Sequence, residues 1–129
     1  MKKQKKILVV EDEKNLREAI RDVLRAENFS TLEAKNGKEG IKIALKERPD
    51  LILLDLLMPE MDGMTAFEKI RKDTWWAKVP VIILTNLNPT AEKLVQDVIL
   101  NEPLFYLIKS DWKLHDIVDK IEETLKIKG

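Results

Sequence analysis

Short aliphatic runs and stretches of helical spacing alternate five times along the chain. The runs cover residues 7–10, 51–54, 79–84 and 105–108, with a weaker one at 29–34. After the first, Leu16, Ala19, Ile20, Val23 and Leu24 recur at intervals of three and four, which puts them on one helix face. Ile41, Ala44 and Leu45 repeat the pattern in a second helix, Met64, Phe67 and Ile70 in a third, and Ala91, Leu94, Val95 and Val98 in a fourth. Leu114, Ile117, Val118, Ile121 and Leu125 mark the fifth. Asn36-Gly37 and Asp62-Gly63 read as turns, Asn88-Pro89 as an N-cap followed by proline at the first helical position, and Ser110 as a cap for the last helix.

Strict alternation of strand and helix predicts an α/β fold of parallel strands with right-handed crossovers. The runs at 51–54 and 79–84 are apolar without alternation, as in strands covered by helices on both faces. A length of 129 residues fits one domain with one core, and no linker, repeat or low-complexity segment divides it. The expectation is a single domain over residues 1–129 with no output domain, and the opening Met1 favours a complete protein.

Composition serves mainly to exclude. The 23 basic residues balance 23 acidic ones, so no basic excess points to nucleic acid or to an anionic membrane surface. The leader Lys2-Lys3-Gln4-Lys5-Lys6 is basic but short, and reads as a solvated edge before the first strand. There are no cysteines, which removes disulfides, thiolate catalysis and cysteine metal sites. No apolar run approaches the roughly 20 residues of a membrane helix, and no signal-type stretch follows Met1. A cytoplasmic location is expected.

The chemistry is written at the strand ends. Open α/β sheets place their sites at the carboxyl ends of their strands. Glu11-Asp12 follow the first run, Asp55 the third, Thr85 the fourth and Lys109 the fifth. Glu11, Asp12 and Asp55 would meet as three like charges, and a hard divalent cation removes their repulsion. Mg²⁺ takes oxygen ligands and keeps several waters, so Asp12 and Asp55 are expected as direct ligands and Glu11 as a direct or water-mediated one. The backbone carbonyl of Leu57 is a further candidate. A carboxylate so placed can act as a nucleophile and form an acyl phosphate. Phosphoryl transfer needs positioning and positive charge, for which Lys109 offers a point charge, Thr85 a hydroxyl and the backbone near Asn86 further donors. Each of these residues alone has a plainer reading as a helix cap, a strand-ending threonine or a solvated lysine; their convergence carries the inference.

With these pieces in place the chain resembles a response-regulator receiver domain of two-component signalling, from Lys5 to Lys126. The matching segments are Val9-Val10-Glu11-Asp12-Glu13, the run from Leu54 through Asp55 and Met58-Pro59 to Asp62-Gly63, Ile83-Leu84-Thr85, and Tyr106-Leu107-Ile108-Lys109. The resemblance implies a flavodoxin-like, doubly wound (βα)5 three-layer sandwich with strand order 2-1-3-4-5. It implies a stand-alone phospho-acceptor rather than an enzyme. Asp55 would take a phosphoryl group from the phosphohistidine of a histidine kinase or phosphotransfer protein, with Mg²⁺. Thr85 and Tyr106 would form the switch pair, and the face built from the fourth helix, fifth strand and fifth helix would be remodelled for a downstream protein. Nucleic acid and membrane are not expected partners.

Departures from the family pattern carry their own expectations. Asn86 stands where a small residue is usual and narrows the approach to Asp55. Ser110 replaces a common proline after Lys109, so the 109–110 peptide is expected to be trans. Asn101-Glu102-Pro103-Leu104-Phe105 rearranges the approach to the fifth strand. Leu57 and Leu87 offer no group to orient water, which predicts slow self-dephosphorylation. Trp75-Trp76 read as partial cover for the core, Trp112 as a partner candidate near the switch face, and His115 as a solvated surface residue. Two competing readings are a degenerate receiver-like interaction module and a Mg²⁺-dependent phosphohydrolase or toprim-type centre. The latter needs a second acid two residues after the nucleophile, where Leu57 stands.

Overall fold

The computed structural model describes residues 4–55, 79–85, 105–108 and 113–125, with 83, 85 and 105–108 described by backbone. These form β1 (Lys6–Val10), α1 (Lys14–Ala26), β2 (Ser30–Ala34), α2 (Gly37–Glu47), β3 (Leu51–Asp55), β4 (Val81–Thr85), β5 (Phe105–Ile108) and α3 (Leu114–Leu125). The strands make one parallel sheet of order β2-β1-β3-β4-β5. Helix α3 is the fifth helix of the sequence pattern. The third and fourth, expected around 64–70 and 91–98, lie outside the described residues, as do the Asp62-Gly63 turn, the Asn88 cap, Ser110 and the three tryptophans.

Register and pleat sort the core into two layers. Ile7 and Val9 of β1 pair with Leu51 and Leu53 of β3, and Leu53 pairs with Ile82 of β4. Side chains two apart share a sheet face, so these residues form one apolar surface. It buries Ile20 and Leu24 of α1 with Ile117, Val118 and Ile121 of α3. Every residue of β3 is buried, which explains why its sequence shows no polar alternation. Truncating fully buried Leu53 to alanine is expected to cost about 2–5 kcal/mol, the usual range for such cavities.

The other face is closed by α2 in a different way. Its buried positions are Gly37, Gly40 and Ala44, all small. A Cβ built on Gly40 would lie 2.9 Å from Val10 Cγ2, so the helix backbone rests directly on β1. The predicted stripe of Ile41, Ala44 and Leu45 is therefore corrected: Ala44 is buried, but Leu45 is 46% exposed. Glycines carry no hydropathy signal, and the pattern shifted toward the larger aliphatics beside them.

Local signals explain the ends. Asn36, read as part of a turn, is the N-cap of α2: its side chain accepts from the Glu39 N–H at 2.8 Å. Helix α1 ends on Asn28, which takes φ 69°. The Phe29 N–H donates to Leu24 O and the Asn28 N–H to Arg25 O, both at 3.0 Å, a Schellman closure that brings Phe29 against Leu24 in the core. Phe29 belongs to this cap, so β2 starts at Ser30 rather than 29. Strand β4 starts at Val81 rather than 79, after Pro80, which has no N–H to donate but accepts from Ile52 N at 3.0 Å. At α3 the Lys113 N–H donates to Asp116 Oδ2 at 2.7 Å.

Candidate metal centre

β1 and β3 run side by side, with Val10 opposite Leu54. One residue further, Glu11 stands opposite Asp55, and neighbouring strands lie only about 4.8 Å apart. Asp12 follows as the chain turns toward α1. Glu11 is 0% exposed and Asp55 3%, while Asp12 is open to solvent. Glu11, Asp12 and Asp55 each bring a carboxylate oxygen within 4.8 Å of the others. The three acids that the sequence placed at two strand ends are thus one cluster.

The turn that holds them is tied at several points. The Glu11 N–H donates to Ala34 O at 3.0 Å, which continues the β1–β2 ladder past the strand. The Glu13 N–H donates to Glu11 Oε2 at 3.2 Å. The Glu11 carbonyl accepts from an Arg17 guanidinium nitrogen at 2.9 Å. Glu13 is the N-cap residue of α1, so the positive end of that helix dipole lies beside the acids. Arg17 and its partner Glu33 had no place in the sequence reading. The signal was a basic residue off the apolar stripe of α1, which reads by default as solvated.

Thr85 ends β4, on the strand next to Asp55. Asp55 pairs with Leu84, so the Thr85 backbone lies one register step beyond it, and Thr85 pairs with Ile108 of β5. Tyr106 pairs with Ile83, two residues before Thr85. These placements put the proposed switch positions on neighbouring strands. Leu57, Asn86 and Lys109, and with them the 109–110 peptide and Leu87, lie outside the described residues.

A second set of potential ligands, His115, Asp116 and Asp119, has its atoms within the same 4.8 Å, and burial separates the two sets. His115 is 71% exposed and contacts Asp116 Oδ1 at 3.2 Å, in keeping with a solvated histidine. Exposed carboxylates are hydrated one by one, whereas buried ones need compensating charge or hydrogen bonds. The cluster at Asp55 meets the demands of magnesium: its donors are all oxygen. Ligand oxygens about 2.1 Å from such an ion lie roughly 3–4.2 Å apart, close to the span available here.

Comparison with known proteins fixes the family. The sequence pattern of the response regulator receiver domain matches residues 7–122. The chain belongs to the response regulator receiver domain family. It is a receiver of the two-component type, and the flavodoxin-like sheet follows. The protein-glutamate methylesterase/protein-glutamine glutaminase of Archaeoglobus fulgidus is 32% identical over 122 residues, 94% of this chain and 34% of that protein. Histidine kinase P4 of Formosa agariphila is 41% identical over 85 residues, 66% of this chain and 6% of that protein. The receiver thus spans about a third or less of these two longer relatives. Among solved structures, the receiver domain of a sensor histidine kinase from Pseudomonas aeruginosa, with a magnesium ion coordinated in its active site cleft, has a TM-score of 0.82 at 27% identity, covering 94% of this chain and 97% of that one. A Francisella response regulator receiver domain has a TM-score of 0.82 at 26% identity, covering 95% and 98%.

Proposed function

We propose that this receiver is a phospho-acceptor in a two-component phosphorelay, with Asp55 as the phosphorylated residue. The observation that carries the reading is the buried Asp55 carboxylate gathered with Glu11 and Asp12 at the carboxyl ends of adjacent strands. A carboxylate oxygen of Asp55 attacks the phosphorus of a histidine kinase or phosphotransfer protein's phosphohistidine. The P–N bond breaks, the imidazole nitrogen keeps the electron pair and takes up a proton, and an acyl phosphate forms on Asp55. Asp12 and Asp55, with Glu11 and the Leu57 carbonyl, would hold Mg²⁺. When bound, the ion offsets the charge of the acids and of the phosphoryl oxygens. Lys109 pairs with a phosphoryl oxygen, and the Thr85 hydroxyl and the backbone at Asn86 donate to others.

Phosphorylation adds about −1.5 to −2 charges and new acceptor oxygens at one strand end. Thr85 turns toward that charge and Tyr106 follows, so the surface around β5 and α3 changes for a protein partner. In this reading the chain signals from the cytoplasm by binding and does not act as an enzyme on an outside substrate. Among the described residues no helix is long and apolar enough to cross a membrane. The test is incubation with Mg²⁺ and acetyl phosphate, read by intact mass and by fragmentation. A single phosphoryl adduct at Asp55 that is lost in Asp55→Asn supports the proposal; an unmodified wild-type chain, or an adduct that survives the substitution, overturns it.

A further inference from the structure

The Glu11-Asp12 turn is held from outside by an arginine, and that arginine is itself held by a residue of the edge strand. Arg17 lies one turn into α1, and its guanidinium donates to the Glu11 carbonyl at 2.9 Å. Its Nε lies 3.6 Å from Glu33 Oε1, and Nη1 of Arg21, one turn further, lies 3.6 Å from Glu33 Oε2. Glu33 pairs in register with Val9, whose side chain packs in the core shared with α1, so strand alternation aims Glu33 at the same helix. The Arg17 side chain is only 15% exposed. The planar fork hydrogen-bonds the Glu11 carbonyl from one nitrogen while another stays at ion-pair distance from Glu33; an ammonium on a flexible stem cannot hold both contacts in one geometry.

We propose that Arg17, braced by Glu33, is a positioning residue that sets the Glu11-Asp12 turn for a divalent cation. The inference rests on the assignment of the acid cluster as the metal site. Arg17 touches neither the cation nor the phosphoryl group. It fixes the Glu11 carbonyl while Ala34 O fixes the Glu11 N–H, so the two peptides on either side of the Glu11 Cα, the second of which leads to Asp12, are both held. The carboxylates are then preorganised against their mutual repulsion. Outer-shell partners of this kind typically change metal affinity by about 10–100-fold when removed.

Charge and position make opposite demands, which makes the idea testable. As a mere positive charge near three acids, Arg17 would weaken cation binding, and its removal would tighten it. As a brace, its removal loosens the turn and weakens binding. Arg17→Lys keeps the charge and loses the fork. We expect it to raise the Mg²⁺ dissociation constant about tenfold by calorimetric titration with the metal alone. In the metal-free protein, hydrogen exchange at the Glu11 and Glu13 amides should quicken. An unchanged affinity, or a tighter one, overturns the brace. Glu33→Gln leaves Arg17 in place and removes its support; because the lost negative charge by itself weakens cation binding, its deciding readout is hydrogen exchange at the Glu11 amide of the metal-free protein, which should quicken about threefold; if Arg17→Lys does not fold, this variant decides, and exchange equal to wild type overturns the proposal. Asp55→Asn in the same titration separates the two assignments. If wild type binds Mg²⁺ independently of Asp55, the metal site itself is misplaced. If binding depends on Asp55 but is indifferent to Arg17→Lys, and Glu33→Gln leaves the Glu11 exchange unchanged, only the brace is wrong.

Discussion

At the amino-terminal end of β1 and β3, single charged groups are each matched by a backbone partner. The Lys6 N–H donates to Asp50 Oδ2 at 2.7 Å, and Lys6 Nζ donates to the Glu47 carbonyl at 3.1 Å. At the carboxyl-terminal end of the same two strands, Glu11, Asp12 and Asp55 gather like charge instead, and two of the three are buried. Both ends join the same strands in the same register, so the sheet does not dictate the difference. A fold selected for stability alone has no use for clustered buried carboxylates, because repulsion and desolvation both oppose them. The amino-terminal end fastens the sheet, and the carboxyl-terminal end gathers the acids that the proposed cation would balance.

The contrast breaks most sharply through the metal. Asp12→Ala should weaken Mg²⁺ binding by about 100-fold, at the upper end of what loss of a ligand's support costs, since it removes a ligand itself. Calorimetry checks it, and an Asp12→Ala protein that binds as tightly as wild type would erase the difference between the two ends. Thermal unfolding gives the next effect. Mg²⁺ at 100 times its dissociation constant should stabilise wild type by about 2.7 kcal/mol, and chelation should remove that gain. Asp55→Asn should show none of it. A stabilisation of equal size in Asp55→Asn would place the cation elsewhere.

At the other end, Asp50→Ala should cost about 1–2 kcal/mol, because the part-buried Lys6 N–H loses its acceptor, and should leave Mg²⁺ affinity unchanged. Denaturant titration and calorimetry on one sample test both halves. Gly40→Ala probes the layer between the ends. Overpacking against Val10 costs about 1–3 kcal/mol, and the gain in helix propensity returns about 1, so a net loss near 1 kcal/mol is expected. A stabilised Gly40→Ala would show that α2 can lift from β1 freely. The smallest effect is expected at Asn28→Gly, where the left-handed φ is already met: a change within about 0.5 kcal/mol.

The sequence carried more of the sheet than of the helices' fit. Continuous aliphatic runs marked β1 and β3 closely, because a strand buried on both faces needs nothing else, and the apolar run at 105–108 coincides with β5. The run at 29–34 was weak because β2 is an edge strand, buried only at Ala34. Hydropathy misread α2, whose contact with β1 is made through Gly40 and not through Leu45. Asn36-Gly37 was ambiguous between turn and cap, since the same side-chain acceptor serves both; the Glu39 N–H within reach settles it.

At the site, residue type and order alone named Glu11, Asp12 and Asp55, because strand ends in a parallel α/β fold point to one side. Only the folded chain decided which acids are buried together, since that depends on the β1–β3 register, which joins residues 44 apart. Only the folded chain brought in Arg17 and Glu33. Their partnership spans a helix and an edge strand, and nothing in local sequence says that a guanidinium will close on a backbone carbonyl six residues earlier. Periodicity fixes which face of an element is apolar; tertiary packing decides which polar groups meet across elements, because their energies depend on distances that no single segment sets.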